Sequence, residues 1–112
     1  MVIYVNIGVQ EKRYKVVVTV KDIKGQCSFG YKLGDKIEFH QHPDYDHVPK
    51  IVGKVCPEAH ANLYRNAFCM LYGGRVPWAK NDRTIAQTVC PDPFNLTTFE
   101  LKQVPIKAKN KK

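Results

Sequence analysis

At 112 residues the chain has the length of a single domain folded around one hydrophobic core, which leaves no room for two. Apolar residues make up 44% and charged residues 25%, a globular balance that excludes a wholly disordered chain. No apolar run approaches the roughly 20 residues that a membrane-crossing helix needs, while the net charge of +8 admits nucleic acid as a partner.

Residues 1–106 read as one domain, with 107–112 as a basic, flexible tail. The start, Met-Val-Ile-Tyr-Val-Asn, carries no basic region followed by a long apolar stretch, so the expected location is cytoplasmic and the thiols are expected to stay reduced. Lysines 107, 109, 111 and 112 crowd the tail and the others are spread, which reads as a solubilising surface.

From Val2 to Val9 the segment is β-branched and can pair with the next strand. From Tyr14 to Ile23, Tyr14, Val16, Val18 and Val20 alternate with Lys15, Val17, Thr19 and Lys21, the pattern of a half-buried strand. A glycine-bounded loop, 25–34, leads to a second strand at Lys36-Ile37-Glu38-Phe39-His40, and prolines and aspartates break regular structure from Gln41 to Pro49. The principal helix is expected from Pro57 to Tyr72. Proline suits the first helical position and Glu58 suits the positive end of the helix dipole. Leu63, Ala67, Met70 and Leu71 fall on one face, with Tyr64, Phe68 and Tyr72 alongside, and Gly73-Gly74 ends the helix. Thr84 to Cys90 and Thr97 to Val104 read as the last strands. The fold class is therefore α+β: an antiparallel sheet or small, partly closed barrel packed against one main helix.

The cysteines carry the chemistry. Cys56 begins the helix, where a thiolate is stabilised, and His60 follows four residues later on the same side as a candidate base. Cys27 and Cys90 also stand at the ends of elements. Three such thiols with a fourth ligand suit zinc or an iron–sulfur cluster, although there is no Cys-x-x-Cys and the gaps match no strong metal motif. The competing reading is that cysteines act as small apolar side chains in a core, and Cys69, next to Met70, is assigned to that role. A weaker metal candidate is the run of His40, His42, Asp44, Asp46 and His47, which reads equally as a solvated loop.

Three segments carry a family resemblance: Cys27-Ser-Phe-Gly-Tyr-Lys-Leu-Gly-Asp35, Cys56-Pro-Glu-Ala-His60 continuing to Leu71-Tyr-Gly-Gly74, and Cys90-Pro-Asp-Pro-Phe-Asn-Leu-Thr-Thr-Phe-Glu-Leu101. The chain from Tyr14 to Val104 resembles a family of small, uncharacterised cysteine-containing proteins of anaerobic bacteria and archaea. The resemblance implies the fold and the shared placement of Cys27, Cys56 and Cys90, and it implies no reaction. Some members carry adjacent cysteines where this chain has Val89-Cys90.

Two functions follow as expectations. The first is a small accessory or binding protein that holds a metal, a cluster or a thiol-reactive ligand at Cys27, Cys56 and Cys90, with a protein partner allowed. The second is a nucleic-acid-binding module that uses Tyr31, Trp78 or Phe94 as stacking surfaces. Thiols converging beneath a pocket favour the first; lysines clustered beside exposed aromatics favour the second.

Overall fold

The computed structural model describes residues 13–42, 48–79, 82, 84–91 and 94–106. The proposed Val2 to Val9 strand, Asp44, Asp46, His47 and the basic tail lie outside the described residues.

Alternation builds the longest strand, β1 (Arg13–Ile23), with Val16, Val18 and Val20 buried on one face and Lys15, Val17 and Thr19 half-buried on the other. The remaining elements are β2 (Lys36–His40), β3 (Lys50–Val52), α1 (Pro57–Leu71), β4 (Ile85–Val89) and β5 (Thr97–Ile106). They form one helix against a five-stranded sheet of order β3-β2-β1-β5-β4, antiparallel at every pairing. The sheet is open, so of the two expected forms the closed one is not taken. Short strands β3 and β4 make its edges. Three residues are too few to show a period, which is why β3 escapes a pattern reading.

The long β1–β5 ladder runs from Arg13↔Ile106 to Ile23↔Thr97, with a register shift between Val20 and Asp22. The shift bends the end of β1 and delivers the chain into the loop that carries Cys27. Across the sheet's inner face, Ile37 and Phe39 of β2, Phe99 and Leu101 of β5 and Ala86 of β4 join the β1 valines. Against them α1 lays Ala59, Leu63, Ala67, Met70 and Leu71. Each large side chain so buried contributes about 1.5–3 kcal/mol before chain entropy is charged against it.

Both ends of α1 are locally specified. Cys56 is the N-cap in an extended conformation, and Pro57 takes the first helical position. At the far end, Gly73 has φ +92°, its N–H donates to the Met70 carbonyl at 3.1 Å, and the Gly74 N–H donates to the Cys69 carbonyl at 3.0 Å. This is a Schellman closure, and it stops the helix at Leu71, one residue before the expected Tyr72. Two glutamine side chains add to this closure. Gln103 Nε2 donates to Met70 at 2.8 Å and to Gly74 at 3.1 Å, while Gln41 Nε2 donates to Leu71 at 3.0 Å.

Gly53 joins β3 to the helix entrance with φ +117°, and a Cβ there would stand 3.1 Å from the Lys36 carbonyl oxygen. Only glycine lets the backbone pass so close to β2 in that conformation.

Cys69 departs from its assigned place: it is exposed. Two residues beyond buried Ala67, it is turned by about 200° around the helix and so leaves the core face.

Candidate functional site

Three loops meet at the entrance to α1. Lys24 N–H donates to the Leu96 carbonyl at 2.7 Å and Gln26 N–H to Asn95 Oδ1 at 3.0 Å, which ties the Cys27 loop to the segment before β5. Cys90 N–H donates to the Thr97 carbonyl at 2.9 Å, and Asn62 Nδ2 of α1 donates to the Val89 carbonyl at 2.6 Å. Tyr31 completes the assembly from inside. Its ring meets Phe99 edge-on at 5.6 Å and Phe29 at 4.9 Å, and its hydroxyl donates to the Lys54 carbonyl at 2.8 Å while accepting the Cys56 N–H at 2.8 Å.

The result is a cavity of about 320 Å³ whose walls include Cys27, Phe29, Cys56, Glu58, Cys90 and Asn95. Three cysteines from three separate parts of the chain thus face one space. Each is half-buried and packed against the core's edge, and none of the chain's four cysteines is disulfide-bonded.

The Cys27 sulfur is surrounded by hydrogen-bond donors. Burial works to raise its pKa, but the N–H groups of Tyr31, Gly30 and Phe29, together with the Thr97 hydroxyl, outweigh it and hold the thiol below its ordinary range. Thr97 is 1% exposed, and its Oγ1 has no hydrogen-bond partner among the described residues apart from what the sulfur offers. Ionising Cys27 supplies that hydroxyl with a strong acceptor. Burial raises the Tyr31 pKa, and the neighbouring Cys56, Cys27 and Asp35 add to this against the Cys56 N–H, so its phenol stays a neutral donor.

His60 does not line the cavity: its ring meets Tyr64 at 5.2 Å in a tilted contact, and Phe68 and Tyr72 continue the row along α1. Its backbone N–H donates to the Cys56 carbonyl at 2.9 Å. Of the second cluster, His40 lies in β2 with Nε2 at 2.8 Å from Glu38 Oε1, and His42 follows β2, half-buried. Among the described residues no three His, Cys, Asp or Glu side chains are grouped closely enough to hold a metal ion. The zinc or iron–sulfur expectation thus finds no fitting donor set there.

Tyr31 is not a stacking surface, being 7% exposed with its hydroxyl engaged. Trp78 is half-exposed, its Nε1 donating to the Gln87 carbonyl at 3.2 Å, and Phe94 is 87% exposed. Sequence reasoning missed Thr97, Asn95 and the cavity-lining role of Glu58. Thr97 reads as an ordinary strand residue, and only the closure of two distant loops gives it a sulfur to face.

Fold and cavity together define a small α+β protein with a thiol-lined cavity at its helix entrance. No helix of the described residues is long and apolar enough to cross a membrane. A scan against protein-family models, a search of curated proteins and a search of solved structures each found no match to this chain.

Proposed function

We propose that this protein takes a thiol-reactive small molecule into the cavity walled by Cys27, Cys56 and Cys90, with Cys27 as the reacting thiolate. The supporting observation is the convergence of three thiols on one space together with the N–H groups and the buried hydroxyl around Cys27. Such surroundings stabilise the nucleophilic form of the sulfur without metal ligation.

Timed alkylation with iodoacetamide at neutral pH, mapped by mass spectrometry, tests this. Accessibility by itself ranks exposed Cys69 first; the thiolate reading ranks Cys27 first, with the fast phase lost in Cys27→Ser. Reaction at Cys69 ahead of Cys27 overturns the proposal, and stoichiometric zinc or iron after anaerobic purification replaces it with metal binding.

A nucleic-acid reading keeps the exposure of Phe94 and Trp78 and loses Tyr31. Binding of that kind, drawn from dispersed lysines and the tail, falls steeply with salt and with removal of the residues after Pro105. Tight binding that survives both would favour it.

A further inference from the structure

The thiol cavity has a charged neighbour. A second cavity of about 390 Å³ is walled by Phe29, Tyr31, Lys32, Asp35, Lys36 and Lys54. Phe29 belongs to both walls, so the two spaces adjoin at the loop that carries Cys27. Its N–H groups from 29 to 31 act on the Cys27 sulfur, and its continuation at Lys32 borders the second space.

Three lysines and one aspartate border that space. Asp35 Oδ2 accepts the Lys32 backbone N–H at 2.9 Å, and Lys36 Nζ donates to Thr19 Oγ1 at 3.1 Å, a bond that leaves two of its three protons. Among the described residues none of Lys32, Lys36 and Lys54 takes part in an ion pair. Basic residues therefore outnumber acidic ones on this wall, and the wall shares Phe29 with the space where a ligand of Cys27 would sit.

Resting on the thiol reading above, we infer that the substrate is a small disulfide bearing carboxylates, with its sulfur at Cys27 and a carboxylate among Lys32, Lys36 and Lys54. The Cys27 thiolate attacks one sulfur of the disulfide. A Cys27–sulfur bond forms, the ligand's own S–S bond breaks, and the departing half leaves as a thiolate with the electron pair, taking a proton from water. Cys27 is oxidised to the mixed disulfide as that half is reduced. A second thiolate of the same cavity, from Cys56 or Cys90, then attacks the Cys27 sulfur, forms a protein disulfide and releases the retained half as a thiolate.

Stopped-flow thiol exchange on the full chain, with oxidised glutathione as the anionic probe and 2-hydroxyethyl disulfide as the neutral one, tests the charge assignment. The anionic probe should react about tenfold faster than the neutral one after correction for their intrinsic reactivities. Raised salt and the combined Lys32→Gln, Lys36→Gln, Lys54→Gln variant should abolish that preference, the anionic probe slowing more than the neutral one. The single Lys54→Gln variant should lower it in part, and circular dichroism checks that each variant is folded. A preference unchanged in folded lysine variants, with Cys27 still reactive, overturns the inference and leaves the thiol reading standing. Cys27 inert toward both probes overturns the thiol reading itself.

Discussion

The hydroxyl of Tyr31 accepts the backbone N–H of Cys56 at 2.8 Å, so a residue of the Cys27 loop holds the first residue of the helix entrance. The same hydroxyl donates to Lys54, and removing it leaves a part-buried N–H and a part-buried carbonyl unserved. Tyr31→Phe should therefore lower the unfolding free energy by about 1–3 kcal/mol in denaturant titration. It should also raise the alkylation rate of Cys56, whose backbone is released. A variant as stable as the parent would show that the Phe29 and Phe99 ring contacts alone seat this loop.

Gln103 is a buried polar residue whose amide closes α1. Gln103→Leu keeps the volume but withdraws the amide from the Gly74 carbonyl, leaves the Met70 carbonyl with the Gly73 N–H alone, and frees Arg75, whose Nε donates to Gln103 Oε1 at 3.2 Å. The expected loss is about 2 kcal/mol, with early amide exchange in the last turn of the helix. Gln41→Ala, which removes a single bond to Leu71, should cost less.

A Cβ on Gly74 would stand 2.6 Å from the Cys69 sulfur and 2.9 Å from the Cys69 carbonyl oxygen. Gly74→Ala should destabilise by about 1–3 kcal/mol, whereas Cys69→Ala, at an exposed site, should be nearly neutral. Adding Cys69→Ala to Gly74→Ala should recover part of the loss, since the backbone clash remains. Full recovery would mean that the sulfur alone sets the packing there.

The lowered Cys27 pKa has a signed consequence for stability. Its folded value lies below its unfolded one, so its contribution is fully present above the ordinary thiol range and is lost as pH falls through the folded value. Stability of the wild type relative to Cys27→Ser should rise across that interval. Thr97→Val should move the alkylation profile of Cys27 toward higher pH by withdrawing the hydroxyl. A profile that stays in place would assign the shift to the loop N–H groups alone.

Glu38 provides a second titration, away from the cavity. The hydrogen bond from His40 is the main cause of its lowered pKa, with Lys15 assisting at 3.7 Å against a smaller effect of burial. Its contribution is present above the unfolded carboxyl value and fades as pH falls through the folded one. In carbon-detected NMR titration, His40→Ala should return Glu38 toward ordinary behaviour; an unmoved curve would transfer the effect to Lys15.

What could be read in advance was what depends on near neighbours. Val16, Val18 and Val20 repeat at two, and Pro57 and Gly73-Gly74 mark α1 because capping is a matter of adjacent peptide groups. The grouping of Cys27, Cys56 and Cys90 was legible only as a shared position at the ends of elements. Cys69 was misplaced because adjacency to Met70 suggests burial while helical rotation carries it to the opposite side. Tyr31 in a glycine-bounded loop suits solvent as well as a core; only the arrival of Lys54 and Cys56 decides between them. Thr97 and Asn95 acquire their roles from residues about 70 positions earlier, at Cys27 and Gln26, a relation that no local pattern encodes.

The pairing of β1 with β5 joins Arg13 to Ile106, so the central ladder closes only after nearly all the described chain has been made. High contact order of this kind slows folding to the order of milliseconds to seconds. Until then Cys27 lacks Thr97 and the Asn95 tether, and the thiols meet oxidants unsorted by any cavity. Refolding under oxidising conditions should consequently yield scrambled disulfides, whereas folding first and oxidising afterwards should restrict bridging to partners that the finished walls allow.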